Sequence, residues 1–312
     1  MAKPLTPMEA RTASELPSGE GWWYEPKWDG FRCLADRRAG AVSLTAKSGK
    51  SLGRYFPEVA LALGALPGRD FLLDGELLIQ QGGFEALQAR LHPAASRIAR
   101  LSRETPARLM AFDMPGEAPL AERRAALERF VKKAASEDLV LTPGTTDRRQ
   151  AQAWLTGGRY EGVVAKRLDE PYRPGERTMI KVKRIRTADC VVGGFRYDKA
   201  GRLVASLLLG LYDEAGRLDH VGFTSGLKAA DKPELTARLE ALCGGPGFTG
   251  DAPGGPSRWA TEASAKWEPL RPELVVEVSF DHVSGGRFRH GTRLIRFRPD
   301  KAPEQCRKDQ LA

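Results

Sequence analysis

The chain has 312 residues, with 49 Lys and Arg against 40 Asp and Glu for a formal charge of +9. That length suits two domains, each able to bury its own core without staples, and the basic balance favours polyanionic partners, nucleic acid ahead of an anionic membrane. The longest apolar run, Leu203 to Tyr212, falls far short of the roughly 20 residues that cross a bilayer, and prolines interrupt the N-terminal stretch where a signal peptide would need a continuous apolar core.

A cytoplasmic protein with no membrane helix is therefore expected. Cys33, Cys190, Cys243 and Cys306, with His92, His220, His282 and His290, show neither a C-x-x-C pair nor zinc spacing, and read as isolated side chains.

In chain order, "WWYEPKWDGFR" (Trp22 to Arg32) comes first, a run of aromatics that stops at Lys27. The alternation in Phe31 to Gly49, broken at Ala39 and Gly40, predicts a hairpin entered directly from it. Further strands are predicted over Phe71–Ile79, Ala107–Met114, Glu161–Arg167 and Met179–Arg184. Between them "LAERRAALERFVKKA" predicts a helix with Leu127, Phe130, Val131 and Ala134 on one face.

Strands interleaved with helices give an α+β domain over residues 1–187. From 188 to 312 short strands follow, punctuated by the turns "DKAG" and "DEAG", with one helix at Lys232–Leu242. A Gly/Pro-rich loop, read as mobile over Gly244 to Gly255, precedes the strand pairs "ELVVEVSFDHV" and "RFRHGTRLIRFRP". This content suits a small Greek-key barrel of the OB type.

Several residues could carry chemistry. An ordinary lysine, with pKa near 10.4, is less than roughly 0.1 per cent neutral at pH 7. A nucleophilic Lys27 would therefore need desolvation and neighbouring cations. In "IKVKR", Lys181 and Lys183 are two apart on a strand and project together, either toward an anion or as a solvated edge.

Glu76 in "LLDGELLI" and Glu161 in "RYEGVVAKR" lie in apolar strands beside glycines that would let backbone approach a ligand. Each needs a partner: a metal ion, a ribose hydroxyl or an arginine. Phe112 in "AFDMP" reads either as core or as a platform for a base.

The order K-x-D-G, D-G-E, F-D, E-G-x-V-x-K, K-x-K, followed by an OB-like tail, resembles the covalent nucleotidyltransferase superfamily of ATP-dependent DNA ligases, RNA ligases and capping enzymes. "YEPKWDGFR", "LLDGEL", "EGVVAKR" and the closing "RFRPDKAPEQC" are most similar to bacterial ATP-dependent DNA ligases, and the compact length with the "RPDK" ending to the small ligase C group.

The resemblance implies a nucleotidyltransferase (ligase adenylation, ATP-grasp-like) domain followed by a small OB-fold β-barrel. It also implies ATP with Mg²⁺ or Mn²⁺, nicked double-stranded DNA as substrate, and a monomer acting in repair, with a repair polymerase or end-binding protein as a candidate partner.

Residue by residue, it implies that Lys27 forms lysyl-AMP. Glu25 would meet the adenine edge, Arg32 and Glu76 the ribose region, and Phe112 would stack on adenine. Lys181 and Lys183 would hold the α-phosphate, with Asp29, Glu76 and Glu161 around a divalent metal. Arg298, Asp300 and Lys301 match the last motif, whose basic residues would orient pyrophosphate when the OB domain closes over ATP. Lys47 stands where the family usually has arginine, keeping the charge but not the two-pronged hydrogen bonding.

An RNA-joining or GTP-dependent capping-type enzyme is the alternative. NAD as donor is disfavoured, because no cysteine-ligated zinc module is readable.

Overall fold

The computed structural model describes residues 5–68, 70–200, 202–254 and 266–311. The chain forms two compact units, residues 1–184 and 185–312.

The first unit runs β1 (Ala10–Ala13), β2 (Trp22–Lys27), β3 (Phe31–Arg38), β4 (Ala41–Ala46), α1 (Pro57–Gly64), β5 (Phe71–Ile79), α2 (Gly83–Arg90), α3 (Ala95–Glu104), β6 (Ala107–Asp113), α4 (Leu120–Ala134), β7 (Leu139–Leu141), α5 (Arg148–Thr156), β8 (Gly162–Arg167) and β9 (Met179–Lys183). These strands make two sheets, one ordered β1-β9-β8-β2 and the other β4-β3-β5-β6-β7.

The larger sheet buries one face against helices. Leu73, Leu77, Leu109 and Ala111 pack with Val59 and Leu63 of α1, Leu87 of α2 and Leu127 of α4. Phe130, Val131 and Ala134 of α4 pack against the same core, as their spacing predicts, but α4 also buries Arg123 and Arg124. Strand alternation then turns Phe112 away from buried Ala111 and Asp113, and Glu76 away from Gly75 and Leu77.

The short link Trp28–Gly30 carries the chain from β2 in one sheet to β3 in the other. That crossing explains why the aromatic run ends in a charged side chain: the strand buries its middle, Tyr24 to Pro26, and Lys27 arrives where the sheets part. Gly30 is needed there on steric grounds, because a Cβ would lie 2.2 Å from the Leu77 carbonyl oxygen on β5.

The second unit contains β10 (Arg186–Tyr197), β11 (Val204–Tyr212), β12 (Leu218–Thr224), α6 (Lys232–Glu240), β13 (Glu268–Pro269), β14 (Val275–Phe280), β15 (Val283–Ser284), β16 (Arg287–Phe288) and β17 (Arg293–Phe297). Its main sheet is ordered β12-β11-β10-β14-β17, with β13 on β10. The expected turn at Asp213 to Gly216 joins β11 to β12, with the Gly216 N–H donating to the Asp213 carbonyl at 3.2 Å, while Gly201 of the other expected turn lies outside the described residues.

No closed barrel is found among the described residues. The edge strands meet through a single bridge from Thr224 to Thr292 instead of a continuous ladder. Of the loop expected to be mobile over Gly244 to Gly255, Gly255 lies outside the described residues, and Gly247 and Phe248 are buried. Phe248 is buried in the core, close over Gly193 and Gly210, whose added Cβ atoms would come within 2.7 and 3.0 Å of its ring. No helix among the described residues is long and apolar enough to cross a membrane.

Candidate active site

Both sheets of the first unit contribute to one pocket of about 230 Å³. Glu25, Lys27, Lys166 and Lys181 reach it from the β2, β8 and β9 side, and Arg32, Lys47, Glu76 and Phe112 from the β3, β4, β5 and β6 side. Eight widely separated residues, seven of them named from sequence, thus line one cavity.

Lys27 is held by its ladder partners. In the β2–β8 register it faces Gly162, and its carbonyl accepts from the Glu161 N–H at 3.1 Å. This places the Glu161 carboxylate in direct ion-pair contact with Lys27 Nζ. Lys183 lies on the other side of the same carboxylate, 3.5 Å from Oε1.

Lys181 shares the Lys183 face, as the K-x-K spacing predicts, but it points into the pocket, and among the described residues no carboxylate lies within ion-pair distance of it. Burial first, and then the charges of Lys27, Lys183 and Lys47, push its pKa below that of an ordinary lysine. Such a cation gains from an incoming polyanion, because each negative oxygen relieves the repulsion among the lysines.

Glu76 accepts from the Gly30 N–H at 3.2 Å. Burial pushes its carboxyl up to about 7, against the opposing pull of Lys27 and Arg32. Arg32 forks onto Asp74 through two bonds of 2.6 Å and lies 4.8 Å over the Phe112 ring. Asp74 in turn accepts from the Tyr172 hydroxyl at 2.6 Å, and that same hydroxyl accepts from the Met8 N–H at 2.9 Å. The N-terminal segment carrying Glu9 and Ala10, both in the pocket wall, is pinned to the sheet in this way.

Behind Phe112, Lys166 pairs with Glu25 at 2.7 Å and lies 4.6 Å from the Phe112 ring centre, so the aromatic wall and the Glu25 carboxylate occupy the same end of the pocket.

The remaining candidates divide. Lys47 is mostly exposed and pairs with Glu9 at 3.1 Å, which holds the Glu9 carboxyl below its usual range. Asp29 sits in the link after β2 and does not line the pocket.

Arg298, Asp300 and Lys301 form a cluster of their own on the second unit. Asp189 takes Arg298 at 3.0 Å and Lys301 at 2.7 Å, and Arg298 also holds Asp300 at 2.9 Å, keeping the Asp300 carboxyl down at about 2.

The motif glycines are not the ligand-approach points expected from sequence. A Cβ at Gly162 would lie 2.2 Å from the Val182 carbonyl, and one at Gly75 would lie 2.8 Å from the Leu109 side chain, so both are required by neighbouring strands.

The sequence motifs contain Lys166 and Asp74 but give neither a role: two-residue alternation from Val164 places Lys166 on the pocket face, and the part played by Asp74 depends on Tyr172, a residue 98 positions away. The acid after Phe112, Asp113, is structural and is forked by Arg123 at 2.8 and 3.2 Å.

No three carboxylate, histidine or cysteine groups converge among the described residues. A protein-only metal cage is thus not built here. Two carboxylates acting on Lys27, Glu161 by contact and Glu76 through space, do suit Mg²⁺, which keeps waters and phosphate oxygens as most of its ligands.

A lysine backed by a carboxylate, a second lysine with no ion pair among the described residues and an aromatic wall suit a site for covalent nucleotidyl transfer. Residues 2–183 match the family described as "ATP dependent DNA ligase domain", and residues 200–301 match "ATP dependent DNA ligase C terminal region". The chain belongs to the ATP-dependent DNA ligases.

It is 41% identical over 332 residues to DNA ligase C1 of Mycolicibacterium smegmatis, covering 99% of this chain and 94% of that one. It is 30% identical over 315 residues to the multifunctional non-homologous end joining DNA repair protein LigD of Mycobacterium tuberculosis, covering 96% of this chain and 39% of that one. A Lig E DNA ligase structure shares the fold, with a TM-score of 0.57 at 17% identity, covering 96% of this chain and all of that one.

Proposed function

We propose that this ligase seals nicks between a 5′-phosphate and a 3′-hydroxyl in duplex DNA in the course of repair. The supporting observation is the direct contact of Glu161 with Lys27, which lines a pocket together with Lys181. In the first step Lys27 Nζ, having given up its proton, attacks the α-phosphorus of ATP. An N–P bond forms and the P–O bond to pyrophosphate breaks. Glu161, in contact with that ammonium, orients Nζ while the proton leaves to water, and Lys181 and Lys183 offset the charge on the α-phosphate oxygens.

Phe112 and Arg32 wall the base and ribose. Glu161 and Glu76 would hold Mg²⁺, which would supply further charge neutralisation to the phosphates. In the second step an oxygen of the DNA 5′-phosphate attacks the phosphoramidate, and Lys27 leaves as a free amine. In the third the 3′-hydroxyl attacks the 5′-phosphorus, AMP departs, and Asp29 orients the hydroxyl. Arg298 and Lys301 act on pyrophosphate in the first step.

The test is sealing of paired substrates. Wild type should seal a DNA nick with ATP and join an RNA nick poorly, while Lys27→Ala should fail on both yet seal a DNA nick that already carries 5′-AMP. Efficient sealing of the RNA nick alone would favour the RNA-joining reading.

A further inference from the structure

A half-buried donor stands behind the Glu25 carboxylate, and nothing in the mechanism above uses it. Trp23 and Glu25 are two apart on β2 and so share a face, and Trp23 Nε1–H donates to Glu25 Oε1 at 2.9 Å. The indole cannot move far. One face lies on Gly144, where a Cβ would come within 2.2 Å of the ring, and the Arg124 guanidinium covers it at 5.2 Å from the ring centre.

Arg124 is itself fixed by bonds to Thr142 O and Glu128 at 2.8 Å each, and its Nη1 lies 3.6 Å from Glu25 Oε1. Lys166 takes the other oxygen at 2.7 Å. Glu25 is only 2% exposed, yet it lines the pocket beside Phe112.

A carboxylate offers about four lone-pair directions and no proton to donate. Two are taken by Trp23 and Lys166, so what remains toward the pocket is acceptor capacity in a fixed direction. The matching donor on an adenine base stacked at Phe112 is its 6-amino group.

We propose that Trp23 is a positioning residue for base selection: its indole N–H aims the Glu25 carboxylate at the 6-amino group of the nucleotide, setting preference for purines that carry that group. This rests on the reading of the pocket as the ATP site. The physical consequence is specific. A site built to accept a hydrogen bond discriminates strongly against an analogue lacking the donor, because the buried acceptor is then left unpaired, and that discrimination depends on aim.

The experiment measures formation of the nucleotidyl adduct on Lys27 by intact-protein mass spectrometry. The donors are ATP, purine riboside triphosphate, which lacks the 6-amino group, and inosine triphosphate, which carries a 6-oxo acceptor instead. The proteins are wild type, Trp23→Phe and Trp22→Phe, the last a control on the neighbouring ring, which packs with Arg167 at 5.3 Å.

Trp23→Phe removes the donor along with part of the bicyclic ring that lies against Gly144, and leaves an aromatic ring beside Arg124. It should lower the kcat/KM ratio of ATP to purine riboside triphosphate by about tenfold, through KM for ATP with kcat little changed, and Trp22→Phe should keep the wild-type ratio. Inosine triphosphate should be the poorest donor for wild type. A Trp23→Phe ratio within twofold of wild type would overturn the inference while leaving the ligase reading intact. No adduct on wild type with ATP would overturn both.

Discussion

Removing one hydroxyl from Tyr172 should loosen the first unit and weaken nucleotide binding together. Tyr172 is 4% exposed, and its oxygen makes two bonds, donating to Asp74 at 2.6 Å and accepting from the Met8 N–H at 2.9 Å. Tyr172→Phe preserves the ring packing. It forfeits a bond to a charged acceptor, worth about 1.5–3 kcal/mol, and leaves the Met8 N–H without that partner at about 1–3 kcal/mol.

These overlap, because Met8 can shift toward water, so a net loss of about 2–4 kcal/mol is expected. For a unit of 184 residues each kcal/mol lowers the melting temperature by about 2–4 °C. The assay is thermal unfolding of the nucleotide-free protein, with the fall expected at roughly 5–12 °C.

Released from Tyr172, the Met8 to Ala10 segment no longer holds the pocket wall, and KM for ATP should rise several-fold with kcat less affected. A melting temperature within about 1 °C of wild type would refute the reasoning, since it would mean that neither bond contributes net stability.

Glu76→Gln tests the raised carboxyl. Because the folded value of about 7 exceeds the ordinary glutamate value of 4.5, the unfolded chain sheds this proton first as pH rises. Wild type therefore carries no penalty below the unfolded value, a growing one between the two, and the full one above 7. The variant should gain stability over nucleotide-free wild type across that window, by about 2 kcal/mol at pH 8 once solvent access to the half-buried side chain is allowed for; a pH-independent difference in urea titrations would contradict it.

Gly30→Ala forces a Cβ against the Leu77 carbonyl at 2.2 Å. Since backbone must yield, it should cost about 2 kcal/mol or more and displace Lys27, so adduct formation should fall further than stability does. Asp189→Ala removes the carboxylate shared by Arg298 and Lys301. It should destabilise the second unit by about 1–2 kcal/mol and slow adduct formation from ATP while sparing the sealing of a pre-adenylated nick; equal slowing of both reactions would count against it.

Local pattern revealed most of the secondary structure. The strand over Phe71–Ile79 and the helix over Leu120–Ala134 have the observed bounds, because alternation and a 3.6-residue stripe are direct consequences of burying one face. The convergence of Lys27, Glu76, Phe112, Glu161 and Lys181 came from motif order, not from periodicity, since no local rule says that two separate sheets face one cavity.

What stayed hidden depended on distance in sequence. Buried Arg123 and Arg124 look like the polar face of α4 until Asp113 and Glu25 are placed beneath them. The glycines of D-G and E-G look like ligand contacts until the neighbouring strand is seen to occupy the space. Asp189, an ordinary strand residue in sequence, becomes the counter-ion of the closing motif only through a pairing 109 residues long.

The central claim is that Lys27 is the nucleophile, and one mass measurement bears on it most directly. Protein freed of bound nucleotide is incubated with ATP and Mg²⁺, digested, and mapped beside Lys27→Ala. An acid-labile AMP on the peptide containing Lys27, discharged by pyrophosphate and missing from the variant, is the predicted result. AMP on another residue, or no adduct from folded wild type, would contradict the account.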